Sequence, residues 1–418
     1  MRHVRVGAII LAGALAGACA SVTQPPEPVV LRVVMADDWA TVPVIGEVIE
    51  EFEDEHPGVR VNLQGSPFSQ IPDLVTSAIE LGQPPDLAHW HAFAAAAAGI
   101  AEPLDDLWDE AGLDPGDYLP GAIEGVSWRG SLYGVPLDTN ALVLLVNRDL
   151  LADADVDPAE LATLDGFREA ASDVVDGSDA DHAIVISGSS WAAYGWIVAN
   201  GGELLELSDD GPPRFTFNDP DTVEAMELLV ELVRSGESPP ALAPDLATDA
   251  VAAFADGDVA MHASGSWDLP ITRRAMQADF DIDNVGVLPM PQVDPSHPRT
   301  VLGGSSLFVP RDASNAQLAF ELALALTQDD VALRLAADEG RLPARREVFG
   351  HDLFRSSEDL AAFVEQLPNA EVMPLSAFPE VAAAFRDGLA ALLAERKTPA
   401  AALAQVQAYA DGWLEENG

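Results

Sequence analysis

Of the eight tryptophans, Trp39, Trp90, Trp191 and Trp267 stand at the starts or ends of expected elements rather than inside apolar runs. Trp267 follows Ser264-Gly265-Ser266, and Trp191 follows Ser187-Gly188-Ser189-Ser190. Both stretches are too small and flexible to be core, so each presents an indole on a loop. Trp90 closes the short strand Asp86–Trp90, and Trp39 lies in the polar loop Ala36–Thr41 beside Asp37 and Asp38. Indole faces cover C–H surface, while carboxylates, amides and arginines take up hydroxyl edges. These residue types point to non-covalent capture of a small ligand. Trp108, Trp128, Trp196 and Trp413 read as structural.

Bond-breaking chemistry finds less support. His89 and His91 flank Trp90 on one strand face, but a third ligand at ordinary spacing is absent, so no metal is expected. The chain carries no GxSxG, P-loop, HExxH or GxGxxG signature. A glycosidase would need two carboxylates across a cleft. With 69 acidic residues such a pair exists by abundance alone, and no motif singles one out.

The elements that position these residues alternate between strand and helix. Val29–Met35 is an apolar strand, and Val44, Ile45, Val48, Ile49 and Phe52 recur at helical spacing. Val59–Leu63 is a second strand, which makes a βαβ start and a largely parallel sheet. Helices are expected at Ile71–Leu81, His91–Gly99, Trp191–Asn200, Asp219–Ser235 and Ala316–Leu326. Leu132–Asn147 is a long strand broken by Pro136 and by Asp138-Thr139-Asn140, as a crossing between two domains would be. Ala253–Trp267 reads as a helix end, an Asp256-Gly257 turn, a strand at Val259–Met261, and the loop carrying Trp267. Ligands of open α/β sheets sit at such carboxyl ends. Val285–Leu288 and Thr300–Pro310 are further strands, the second kinked at Gly303-Gly304. Gly340–Arg346 is a loop, and residues 358–366, 379–395 and 399–416 are closing helices.

At 418 residues the chain is too long for one core, and two domains are expected. A formal charge of −48 argues against nucleic acid as a partner and against docking on anionic lipid. Residues 1–18 read as a signal peptide: Arg2 and Arg5, the apolar run Val6–Leu15, then Ala16-Gly17-Ala18. Cys19, the only cysteine, follows at once. It resembles a bacterial lipobox cysteine, with Ala16 where leucine is usual, and is the expected lipidation site. Residues 19–28 then form a Pro-rich tether. An ordinary secreted protein is the alternative.

Asp86-Leu87 after Pro84-Pro85, Gly99–Leu107, Tyr133–Asn147, Asn200–Leu205, Phe254–Trp267, Gly303-Gly304 and Leu342-Pro343-Ala344 occur together in a recognisable order. That order is similar to the sugar-binding proteins of ABC importers, extracellular solute-binding family 1, maltose-binding branch. The resemblance spans roughly residues 30–415. It implies an α/β, two-lobed periplasmic-binding-protein fold (type II), with three crossovers and the ligand cleft between the lobes. The crossovers would fall near Asp138–Ala141, Gly286–Pro289 and Thr327–Asp330. Lobe one would be residues 29–139 plus 288–328, and lobe two 140–287 plus 329–418.

By the same resemblance Trp90, Trp191 and Trp267 match stacking aromatics, and Asp138 and Asn140 lie on the cleft floor. Trp39, Gly303, Gly304 and Arg345 complete the expected ligand set, with Asp37, Asp38 and Ser66 as weaker candidates. Pro379 stands where a further aromatic is usual, which argues against a long maltodextrin. The implied protein is a monomeric, lipid-anchored, cofactor-free carrier on the outer face of a bacterial membrane. It would deliver a mono- or oligosaccharide to ABC permease subunits. A carrier for polyamines or another non-sugar solute, and a secreted glycoside hydrolase, are the alternatives.

Overall fold

The computed structural model describes residues 28–206, 213–240, 247–275 and 284–417; the expected leader, Cys19 and the tether up to residue 27 lie outside them. Strand β1 (Val29–Ala36) and helix α1 (Pro43–Glu55) lead to β2 (Val59–Ser66) and β3 (Leu87–Trp90). β4 (Gly134–Ala141) and β5 (Val143–Asn147) follow almost without a break. Next come β6 (His182–Val185), α2 (Ser190–Ala199), β7 (Val259–Ser264), α3 (Asp268–Ala275) and β8 (Val285–Leu288). β9 (Thr300–Phe308), α4 (Ala316–Leu326), α5 (Asp329–Glu339) and β10 (Ala370–Val372) return to the first sheet's side.

Two sheets result. The first has the order β10-β9-β3-β1-β2, with β4 along the other edge of β9. β1 pairs with β2 in parallel from Val29↔Val59 to Ala36↔Ser66. The second has the order β8-β5-β7-β6. Its central strand β5 explains the apolar run in sequence. Leu144 and Val146 enter a core with Phe167, Trp196 and Leu229, whereas Val143 and Leu145 enter another with Phe254 and Phe363. A strand covered on both faces has no polar side to show. The first sheet has its own core around Leu31, Val33, Ile45, Phe52, Leu87 and Phe308. Pro43 fits the first turn of α1, where no amide proton is needed, and Val44, Ile45, Val48 and Phe52 make its buried stripe.

The chain is thus two-lobed α/β, and it passes from one sheet to the other at Leu142. The Leu142 amide donates to the Val301 carbonyl, and Thr300 Oγ1 donates to the Leu142 carbonyl. Asp138, Thr139 and Asn140 do not interrupt the strand as the sequence suggested. They are buried within β4, paired with Ser305, Gly304 and Gly303. α5 packs Val331 and Leu335 into the first core, and Arg334 reaches Glu47 of α1 at 2.8 Å. Ala336 and Leu342 join the core under Val143 and Leu145 instead. Residues 329–344 therefore lie across the junction of the lobes.

Candidate functional site

The junction holds a cavity of about 270 Å³. Its floor is the pairing of β4 with β9. Gly303 lies opposite Asn140, and a Cβ there would fall 2.0 Å from Asn140 Oδ1 and 3.0 Å from Trp191 Cζ2. Gly304 adopts φ +123°, and its Cβ would fall 2.5 Å from the Asp138 carbonyl oxygen. Only glycine permits this backbone and this close approach. Asp138 Oδ1 accepts from the Ser305 amide at 2.7 Å and from Ser305 Oγ at 2.5 Å. Burial pushes the Asp138 carboxyl up, opposed by the Arg341 charge and the Ser305 hydrogen bonds. Asn140 Oδ1 is buried without a partner.

Two indoles form one wall. Trp191 sits in the first turn of α2, and its Nε1–H donates to the Leu302 carbonyl at 2.9 Å, which fixes the ring. Trp267 lies 5.4 Å from it, centroid to centroid, with the planes at 47°. The Ser264-Gly265-Ser266 stretch is not a flexible loop, contrary to the sequence reading, because all three residues are buried. A Cβ on Gly265 would fall 2.0 Å from Trp267 Cζ3, so the indole folds back over its own turn. Behind it, Asp268 Oδ2 accepts from Ser264 Oγ at 2.5 Å and meets His262 Nε2 at 3.0 Å. Ser264 donates to the aspartate rather than to the histidine, so the trio is an anchor for the start of α3, not a nucleophilic relay.

The facing wall comes from the first sheet. Trp39 lies in one helical turn, Asp37–Ala40, rather than in an open loop, and its ring meets His89 edge-on at 5.2 Å. The Arg341 guanidinium lies 5.0 Å from the Trp39 ring and binds Asp38 at 2.5 Å. Phe68 meets His89 and His91 edge-on. His89 Nδ1 accepts from the Ala36 amide at 3.3 Å, so the neutral ring carries its proton on Nε2, which has no partner. Burial, with Arg341 and His91 nearby, holds His89 well below the usual histidine range. Burial lowers His91 to about 4, partly offset by a hydrogen bond with the Gly304 backbone. A second cavity of about 110 Å³ shares His91, Asp138, Trp191 and the Gly303–Ser305 floor.

The structure thus brings together Trp39, Asp38, Asp138, Asn140, Trp191, Trp267, Gly303 and Gly304. It does not bring Trp90 or Arg345 to either cavity. Side chains alternate along a strand. Trp90 therefore faces the first core while His89 and His91 face the cleft. Arg345 is directed away by the Leu342-Pro343-Ala344 turn; it pairs with Asp329 at 3.2 Å and Glu347 at 2.7 Å, over Tyr118. Ser66 is buried at the end of β2, and Asp37 is exposed outside the cavity. Sequence reasoning missed Phe68, His89, His91, Ser305 and Arg341. The i, i+2 spacing of the histidines was the available signal, but it suggested a metal. Among the described residues no group of three or more His, Cys, Asp or Glu could hold one. Trp108 and Trp196 are buried in the two lobes, and Trp413 packs on Phe378, as expected of structural indoles.

Among the described residues no helix is long and apolar enough to cross a membrane. Comparison with known proteins agrees with the geometry. The chain is 23% identical to the maltotriose-binding protein of Pyrococcus abyssi over 344 residues, 80% of this chain and 70% of that one. The GacH receptor of Streptomyces glaucescens, solved unliganded and with acarbose, matches with a TM-score of 0.81 at 22% identity, over 94% of this chain and 100% of that one. Maltose-bound MalE3 of T. maritima matches with a TM-score of 0.80 at 22% identity, over 91% and 98%. The structural matches share the two-lobed fold. The family model for bacterial extracellular solute-binding proteins matches residues 47–362. The chain belongs to that family.

Proposed function

We propose that the protein captures a mono- or oligosaccharide in the cleft and delivers it to the permease subunits of an ABC importer. The observation that carries this reading is the pairing of two fixed indoles, Trp191 and Trp267, with Asp138 and Asn140 in one cavity. Sugar rings offer C–H faces to the indoles and hydroxyls to the polar floor. Relatives named for maltotriose, galactooligosaccharide and arabinooligosaccharide binding support a carbohydrate ligand. In this reading the lobes divide near the expected bounds, 29–139 plus 288–328 and 140–287 plus 329–418, except that β4 stays in the first sheet to Ala141 and Val331 and Leu335 of α5 pack into the first core. Sugar shifts an open–closed equilibrium because only the closed form contacts both lobes. Residues 1–18 serve as signal peptide and 19–28 as tether, with Cys19 lipidated at the extracytoplasmic face of the cell membrane. The carrier acts as a monomer and catalyses nothing: Asp38 is held by Arg341 and Asp138 by Ser305.

Calorimetry against a panel of mono- and oligosaccharides, spermidine and chromogenic glycosides tests the reading. Saturable heat from a saccharide without release of chromophore is expected. Binding of spermidine alone would replace the ligand class, and glycoside cleavage would make the protein a hydrolase. Labelling by a radioactive acyl donor should disappear in Cys19→Ala; retained label refutes the anchor.

A further inference from the structure

The hydrogen-bonding groups left free in the cleft are of unequal kinds. Asn140 Oδ1 is a buried acceptor without a partner. Asp138 spends Oδ1 on both donors of Ser305, and its other oxygen accepts no hydrogen bond from the described residues. A buried donor without a partner in the same lining is His89 Nε2–H, an uncharged group whose tautomer is set by the Ala36 amide. The one guanidinium lining the cavity, Arg341, is already engaged by the Asp38 carboxylate and lies over Trp39. Asp38 and Asp138 against Arg341 leave one formal negative charge among the described lining residues.

A hydroxyl can donate to Asn140 and Asp138 and accept from His89. A carboxylate or phosphate group can only accept, and it would bring a like charge to a buried aspartate where the lining guanidinium is already bound to Asp38. We infer that the cleft admits uncharged saccharides and rejects anionic ones, uronates and sugar phosphates, and that Asp138 is the discriminating residue. This deepens the carbohydrate reading and rests on it.

Matched pairs test the inference in the full chain by calorimetry at neutral pH and low salt: glucose against glucuronate and glucose 6-phosphate, galactose against galacturonate, maltose against maltose 1-phosphate. At least one neutral sugar should bind, and its anionic counterpart should bind roughly tenfold or more weakly, the scale of one like-charge contact across a few ångströms of protein. An anionic member that binds as tightly as its neutral counterpart overturns the inference and leaves the carbohydrate reading standing. No saccharide binding in these pairs or in the wider panel removes that reading, and the inference with it. Asp138→Asn keeps the shape and an acceptor for Ser305 while removing the charge. It should narrow the gap between neutral and anionic sugars. An unchanged gap in a folded, sugar-binding variant overturns the assignment to Asp138. Should that variant fail to fold, the matched pairs on the unaltered protein still decide.

Discussion

Removing the Trp267 indole should weaken ligand binding without unfolding the protein. The ring is half-buried, stacked on its own turn at Gly265 and tilted against Trp191. Its outer face is left for a ligand. A fully enclosed aromatic side chain buries about 150–250 Å². If a sugar covers roughly a third of that, then at about 25 cal/mol per Å² the contact is worth about 1–2 kcal/mol. Trp267→Ala should therefore weaken affinity about 5- to 30-fold. The backbone should hold, because Asp268 remains bound to His262 and Ser264 behind the substituted residue. Titration calorimetry with the best ligand of the saccharide panel reads the affinity, and circular dichroism reads the fold. An affinity within about twofold of the unaltered protein, in a folded variant, would show that the ligand does not touch this indole; the 25 cal/mol per Å² estimate would then have no contact to apply to.

Trp90→Ala should do the reverse. The ring packs against the first core and lines neither cleft cavity, so denaturant unfolding should lose about 1–3 kcal/mol while affinity stays within about twofold; a large affinity loss refutes the strand parity. Gly304→Ala places a side chain at φ +123° and 2.5 Å from the Asp138 carbonyl. It should cost about 1–3 kcal/mol in urea unfolding, whereas Gly350→Ala, with open space around it, should cost little; equal midpoints would remove the strain. His91 is lowered from 6.5 to about 4 by burial, so between those values the unfolded chain binds a proton that the native one refuses. Its share of stability is complete above about pH 6.5 and is lost as the pH falls toward 4. His91→Gln should flatten the fall in melting temperature across that window, and an unaltered slope would count against the buried neutral ring.

Much of the architecture was legible because it depends on local periodicity. β1, α1 and β2 follow from the apolar runs and the helical recurrence of Val44, Ile45, Val48 and Phe52. The closing helices at 379–393 and 399–417 follow from the same pattern. The chain passes between sheets at Leu142, next to the expected Asp138–Ala141, but the polar residues of β4 that looked like a break are buried cleft floor. The site was harder. β3 is covered on both faces, so alternation could not say whether Trp90 or its histidine neighbours face the cleft. The partners that define His89, namely the Ala36 amide, Trp39 and Phe68, are brought in from other parts of the chain. Arg341 and Arg345 look alike in sequence, and one turn of backbone sends them to opposite surroundings.

Three successive residues after α5 touch three separate walls. Gly340, at φ +64°, abuts the Ser266 carbonyl beneath Trp267, where a Cβ would fall at 2.3 Å. Arg341 holds Asp38 and covers Trp39. The Leu342 carbonyl accepts from the Thr139 amide at 2.9 Å. Three residues of extended chain span about 10 Å at most, so this segment acts as a gauge for the width of the cleft. Replacing the Arg341 side chain would alter one wall. Adding or deleting one residue would put all three contacts out of step at once. Within this layout, a change in ligand preference is open to side-chain exchange and closed to a change in the length of this segment.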